Sequence, residues 1–108
     1  MSMLRNLFVD DERTPPPGMD WEVVKTAGDA YSALSGAEYA VVSLDYVLIG
    51  WESGFDVVWW MHTNNRWPTH ELRVHSSSYM GRAQIIEFAQ AHAPKGLRVI
   101  DASAERGL

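Results

Sequence analysis

The chain has 108 residues, of which 46% are hydrophobic, a formal net charge of −5 and no cysteine. This length and composition predict one globular domain over residues 1–108, and the negative charge without a lysine or arginine cluster excludes non-specific binding to nucleic-acid backbones. The lack of cysteine excludes a disulfide framework and a thiolate zinc site. No stretch approaches the roughly 20 apolar residues of a membrane span, and none has the form of a signal peptide, so we expect no membrane association and a cytoplasmic protein.

The first predicted strand covers about 4–10 and ends abruptly in acids, namely Asp10, Asp11 and Glu12. An apolar run that ends on carboxylates is typical of a buried strand that surfaces at its C-terminal end, where open α/β sheets place their ligands. The prolines at 15–17 lack N–H donors, which predicts an extended loop. Residues 21–25 alternate enough to predict an edge strand.

The rest of the chain alternates helices and strands. Thr26 and Asp29 have the spacing of a capping box, which predicts a helix to about residue 34. The remaining elements are a strand over 39–45, a helix over 54–64, a strand over 71–75, a helix over 81–93 and a strand over 97–100. In the helix over 54–64, one apolar face consists of Phe55, Val58, Trp59 and His62. Val57, Trp60 and Met61 widen the apolar surface beyond this face, which predicts a well-buried helix.

This alternation predicts an α/β fold with a parallel five-stranded sheet in the flavodoxin-like order 2-1-3-4-5, built as a two-layer or three-layer sandwich. No helix is predicted between strands one and two, and none after strand five. These two helices would cover the same face, so the pattern predicts an apolar face screened only by the proline loop. We therefore expect a homodimer or a protein partner on that uncovered sheet face.

Carboxylates at converging strand ends point to a metal. Asp10, Asp11 and Asp45 offer the hard oxygen ligands that suit Mg²⁺ or Mn²⁺. Such an ion could polarise a phosphodiester and generate a nucleophilic hydroxide. The alternative is that these acids are solvated loop residues.

The third site strand ends on His75 and Ser76. His75 could act as a general acid or base, or it could be a hydrogen-bonded structural histidine. The serines at 76–78, with Gly81 and Arg82 before a helix, form a phosphate cradle on one interpretation and a serine-rich turn on the other. Arg13 is a weaker candidate for phosphate binding.

Four segments resemble, in the same order, the cyclic-phosphate-processing receiver-like domains, which are relatives of the response-regulator receiver. They are the residues at 7–15, 43–45 and 53–56, and those at 74–76 together with Gly81 and Arg82. The resemblance implies a receiver-like fold, a bound metal and processing of a cyclic phosphate compound. The chain departs from the family where it has Tyr46 and Val47 in place of a His and an Asp, and Ser78 and Tyr79 in place of an Asn-Pro pair.

Three functions follow from these residues. The first is metal-dependent hydrolysis of a cyclic phosphate or cyclic nucleotide, with His75 and Asp45 as catalytic residues. The second is a catalytically degenerate module that sequesters a nucleotide or docks a protein partner, which the departures at Tyr46 and Val47 favour. The third is a signalling receiver in which Asp45 accepts a phosphoryl group, but the lysine that receivers need at the end of the fifth strand is absent from 99–102.

Overall fold

The computed structural model describes residues 4–103 and places five parallel strands in one sheet, in the order β2-β1-β3-β4-β5. The predicted flavodoxin-like order is therefore confirmed. The first four strands are one or two residues shorter than predicted, and the fifth has its predicted length but begins one residue later. Their bounds are β1 Arg5–Val9, β2 Glu22–Val24, β3 Tyr39–Leu44, β4 Glu71–Val74 and β5 Arg98–Asp101.

Three helices connect strands β2 to β5 within the described residues, and each begins at a hydroxyl cap. They are α1 Ala27–Gly36, α2 Gly54–Thr63 and α3 Tyr79–His92. Thr26 accepts a hydrogen bond from the Asp29 amide, as predicted. Ser53 and Asp56 form a capping box at α2, and Ser78 caps α3, which begins two residues before its predicted start.

The predicted apolar face of α2 is only partly buried: Val58 is buried and Phe55 packs against the core, but the other two predicted residues are exposed. The buried positions are Gly54, Val57, Val58 and Met61, whereas Trp59 is 53% exposed. His62 is exposed as well. Because α2 carries apolar residues on most sides, its hydrophobic pattern does not select one face, and contact with the sheet and with neighbouring helices decides which face is buried.

Strand residues of one parity pack against the helices and form the core. Leu7, Val42 and Leu72 lie side by side in the sheet, as do Val9, Leu44 and Val74. These positions join residues from all three helices in one apolar cluster. The residues of opposite parity form the second sheet face, which none of the three helices covers.

The second sheet face was predicted to be apolar, but it carries several polar and charged residues. It presents Phe8 and Val41 together with Ser43, Glu71 and Arg73. The alternation Glu71-Leu72-Arg73-Val74 shows that β4 is buried fully on one side only. Trp21 packs edge-on against Phe8, with the ring centroids 5.7 Å apart, and so shields part of this face.

The described residues between β1 and β2, which are 10–21, contain no helix, as predicted. The expectation that no helix follows β5 falls on residues 104–108, which lie outside the described residues. Among residues 4–103, no helix has both the length and the apolar character to cross a membrane.

Candidate metal and phosphate site

The register of the sheet brings three titratable residues into one row. Val9 pairs with Leu44, and Leu44 pairs with Val74, so the next residues on these three strands are Asp10, Asp45 and His75. Amide-to-carbonyl hydrogen bonds of 3.0 Å, from Asp45 to Val9 and from His75 to Leu44, extend the pairing by that one residue. One potential ligand atom from each of the three side chains lies within 4.8 Å of the others. The predicted convergence is therefore confirmed for these three residues.

Asp10 is fully buried and is held by its own loop. Its Oδ1 accepts hydrogen bonds from the amides of Glu12 at 2.8 Å and Arg13 at 3.0 Å. Burial alone would raise the pKa of Asp10, but these two backbone donors, with His75, outweigh it and lower the pKa below its ordinary value. Asp10 is therefore a carboxylate with a fixed orientation.

Asp45 is also buried, but it is less well compensated. Its Oδ1 accepts a long hydrogen bond of 3.3 Å from the Val47 amide. Burial raises the pKa of Asp45 and the charge of Asp10 raises it further, while a hydrogen bond from Ser76 and the charge of Arg13 lower it only in part. The ionised form of Asp45 is therefore costly in these surroundings.

Arg13 bridges the two carboxylates from the solvent side. Its Nη1 lies 3.2 Å from Oδ2 of Asp45 and 3.5 Å from Oδ2 of Asp10. The Arg13 side chain is 34% exposed, whereas those of Asp10 and Asp45 are 0% and 5% exposed. A guanidinium thus provides the positive charge that the paired acids need.

His75 has partners on both ring nitrogens. Nε2 lies 3.0 Å from Oδ2 of Asp10, and Nδ1 lies 2.7 Å from Oγ of Ser43. Because a carboxylate only accepts, the proton is assigned to Nε2, and the Ser43 hydroxyl then donates to Nδ1. The ring stacks on Phe8 at 4.5 Å between centroids and is 2% exposed.

Sequence reasoning gave Ser43 and Phe8 no part in the site. Ser43 is a polar residue inside the apolar run of β3, two positions before Asp45 and therefore on the same face. A buried hydroxyl needs a hydrogen-bond partner, so its parity with Asp45 was the available signal. Phe8 pairs with Ser43 across the sheet and thus lies on the same face.

The residues of the predicted phosphate cradle are hydrogen-bonded to one another. The Oγ of Ser76 accepts from the Ser78 amide at 3.1 Å, and Oγ of Ser78 accepts from the Gly81 amide at 3.1 Å. Arg82 donates through Nη1 to the Ser76 carbonyl and pairs through Nε with Asp101 at 3.2 Å. Arg82 therefore braces the loop that carries Ser76.

Two further residues border the site. Asp11 is half-buried beside Asp10, and it is not one of the three residues grouped within 4.8 Å among the described residues. A Cβ on Gly81 would lie 2.3 Å from Cγ of Tyr46, so the ring of Tyr46 fills the space that a side chain at 81 would occupy. The absence of a side chain at Gly81 thus leaves room for the ring of Tyr46, the residue after Asp45.

Comparison with known proteins agrees with the geometry. The model of the family described as the cyclic-phosphate processing receiver domain matches residues 5–91. No curated protein matches the sequence.

Two solved structures share the fold. The response regulator TrrA from Thermotoga maritima, crystallised in complex with Mg²⁺-BeF, is 19% identical, with 92% of this chain and 87% of that chain covered and a TM-score of 0.64. A CheY-like response regulator receiver domain protein from Methanospirillum hungatei JF-1 is 15% identical, with 93% and 82% covered and a TM-score of 0.60.

Proposed function

Because this chain belongs to the cyclic-phosphate processing receiver domain family, we propose that it hydrolyses a cyclic phosphate or cyclic nucleotide with the help of a divalent metal ion. The observation that carries the proposal is the row of Asp10, Asp45 and His75 at the carboxyl edge of the sheet, bridged by the Arg13 guanidinium. Two buried acids with a shared cation are arranged to hold positive charge close to a phosphate.

The donor set fits a hard divalent ion. Asp10 and Asp45 supply carboxylate oxygens, and the Arg13 guanidinium already stands in for a cation between them. Asp11 is the proposed third ligand, from the adjoining loop. Mg²⁺ is the first candidate, and Mn²⁺ prefers the same ligands. When bound, such an ion would supply Lewis acidity toward a phosphoryl oxygen.

The reaction opens one ester bond of the ring. A water oxygen forms a bond to phosphorus, one ring P–O bond breaks, and the departing alkoxide takes up a proton, which leaves a phosphomonoester. We propose Asp45, which lies in the carboxylate row at this edge, as the group that takes the proton from the attacking water. His75 donates Nε2–H to Asp10 and thus orients that carboxylate. We therefore propose that His75 contributes to acid-base catalysis through Asp10 and not by direct contact with the ligand.

The phosphate of the ligand needs donors at the same edge. The hydroxyl of Ser76 hydrogen-bonds Asp45, which places it beside the carboxylate row. Arg82 braces the Ser76 carbonyl, and Arg13 reaches the row from the solvent side. We therefore propose Ser76, Arg82 and Arg13 as the phosphate-binding residues for a small phosphorylated ligand.

A hydrolysis screen tests this function. Purified protein with Mg²⁺ is incubated with 2′,3′-cyclic and 3′,5′-cyclic nucleotides, and the phosphomonoester is followed by ³¹P NMR. We expect turnover of at least one compound by the wild type, no turnover by Asp45→Asn, and wild-type turnover by the matched control Asp29→Asn, whose carboxylate is exposed on α1. Absence of product from the wild type, or full activity in Asp45→Asn, would refute the proposal.

A binding module without turnover is the second candidate, and one observation favours it. His75 is 2% exposed, and both of its ring nitrogens are engaged with protein groups. The chain also lacks the second histidine of the family, since Tyr46 stands in that position. Calorimetry showing nucleotide binding together with an empty hydrolysis screen would select this function.

We also propose a second copy of the chain, or a protein partner, on the second sheet face. A groove beside β1 and β2 is lined by residues that include Leu4, Met19 and Trp21. Val23 is 45% exposed on the same side. Sedimentation velocity at micromolar concentration should show a dimer if a second copy covers this face, and a monomer alone or with candidate partners would contradict the proposal.

A further inference from the structure

Arg13 makes contacts that a bound metal ion would have to break. Its Nη1 lies 3.2 Å from Oδ2 of Asp45 and 3.5 Å from Oδ2 of Asp10. Oδ1 of Asp10 is already taken by two backbone amides, and Oδ1 of Asp45 by the Val47 amide. The guanidinium therefore bridges the other oxygen of each acid, Oδ2, and Oδ2 of Asp10 also accepts from Nε2 of His75.

Arg13 also stands on the side from which an ion must approach. The Asp10 and Asp45 side chains are 0% and 5% exposed, whereas the Arg13 side chain is 34% exposed. On the inner side, Asp10 contacts His75, which is buried on Phe8. A cation from solvent therefore meets the guanidinium before it meets the carboxylates.

The backbone of Arg13 is anchored at the site, whereas its guanidinium is held there only through the two carboxylates among the contacts described above. The Arg13 amide donates to Oδ1 of Asp10 at 3.0 Å, which ties the backbone of this residue to the site. The prolines at 15–17 restrict the chain beyond it. Loss of the carboxylate contacts would therefore swing the guanidinium outward while leaving it within reach of a ligand at the same edge.

We propose that Arg13 is a built-in counter-ion that occupies the metal site in the metal-free protein and is displaced when a divalent cation binds. This inference rests on the proposed metal-dependent function and adds a competition that sets the metal affinity. The displaced guanidinium, still anchored at its backbone, then faces solvent beside the metal and is placed to bind the phosphate of an anionic ligand. Metal and phosphate binding are coupled through one side chain.

Magnesium titration by isothermal calorimetry tests the competition. The probe is MgCl₂ alone, added to the wild type, to Arg13→Gln and to the matched control Arg98→Gln. Arg98 pairs with Glu71 on the edge strand and its side chain is 71% exposed, so its loss changes the net charge equally without touching the site. We expect Arg13→Gln to bind Mg²⁺ roughly ten-fold more tightly than either of the other proteins, because no charge-assisted hydrogen bond is broken.

A second measurement separates the possible failures. In thermal unfolding without metal, Arg13→Gln should melt below the wild type, because two buried carboxylates are left facing each other, and Mg²⁺ should raise its melting temperature more than that of the wild type. Equal Mg²⁺ affinity in all three proteins, or weaker binding by Arg13→Gln, would overturn the inference and leave the proposed function standing. No Mg²⁺ binding by any of the folded proteins would instead refute the metal site, and the inference with it. If Arg13→Gln does not fold, the uncharged Arg13→Met takes its place, and wild-type affinity in that variant would equally overturn the competition.

Discussion

The start of α2 is pressed against the backbone of Asp45, and enlarging Gly54 tests how tightly the fold holds that residue. A Cβ at Gly54 would lie 1.9 Å from the Asp45 carbonyl oxygen and 3.0 Å from Cα of Tyr46. The Gly54 amide also donates to the Tyr46 carbonyl at 2.7 Å. Since ordinary contact begins at 3.4 Å, α2 and the site segment must separate by about 1.5 Å.

The Gly54→Ala substitution should therefore be destabilising. Backbone atoms cannot rotate away, so we assign the substitution the upper part of the overpacking cost, about 2–3 kcal/mol, offset by about 1 kcal/mol from the better helix propensity of alanine. The net loss of about 1–2 kcal/mol corresponds to a fall of roughly 4–16 °C in the melting temperature of a domain of this size. Urea unfolding followed by tryptophan fluorescence measures the loss in the free energy of unfolding.

Gly28→Ala is the matched control for this prediction. Gly28 also lies in the first turn of a helix, but its Cβ would come no closer than 3.9 Å, to Oγ1 of Thr26. We expect Gly28→Ala to stabilise the protein by up to about 1 kcal/mol. If Gly54→Ala proves as stable as Gly28→Ala, α2 does not clamp Asp45 as described.

Three further predictions concern the charged row. Without added metal, Asp45→Asn should stabilise the protein at pH 7 by about 0.5–2 kcal/mol. The pKa of Asp45 is raised in the folded protein, so the cost of its charge grows as the pH rises from the ordinary value of 3.8 through the folded-state value. In urea unfolding, the gain from Asp45→Asn should therefore shrink near pH 3. Asp10→Asn should have the opposite effect on the pH dependence of stability. The pKa of Asp10 is lowered in the folded protein, so its charge gives stability that is complete above pH 3.8 and is lost as the pH falls through the folded-state value. The variant should therefore lose less stability than the wild type between about pH 5 and pH 2. Ser43→Ala should lower the free energy of unfolding by about 1–3 kcal/mol, because it removes the hydroxyl that donates to the buried Nδ1 of His75. The control Ser35→Ala, which removes an exposed hydroxyl of α1, should change that free energy by less than about 0.5 kcal/mol. Equal effects of the two substitutions would contradict the assigned hydrogen bond.

The convergence of Asp10, Asp45 and His75 could be predicted from sequence because strand order and register alone produce it. Each residue follows the last paired position of its strand, and parallel neighbours place such residues in one row. The prediction needed no side-chain detail.

The bridge made by Arg13 could not be predicted in the same way. It belongs to a loop before three prolines, where no helical or strand period fixes the direction of a side chain. The two uses of Arg82, on the Ser76 carbonyl and on Asp101, were hidden for a similar reason, since they depend on how the loop after β4 turns.

Two errors of packing have a common origin. The exposure of Trp59 and His62 was not predicted because the apolar surface of α2 extends around most of the helix. The second sheet face was taken as apolar, although Glu71 and Arg73 alternate with Leu72 and Val74 along β4. In both cases hydrophobic content was visible in the sequence, and which side of the element met the core was decided by tertiary contact.

The most direct test of the metal site is anomalous diffraction from a crystal soaked in millimolar MnCl₂. We expect a peak between the Asp10 and Asp45 carboxylates, at about 2.0–2.2 Å from the ligand oxygens, with the Arg13 guanidinium turned away from both. A structure in which Arg13 still bridges the two acids and no anomalous peak lies within reach of either carboxylate would contradict it.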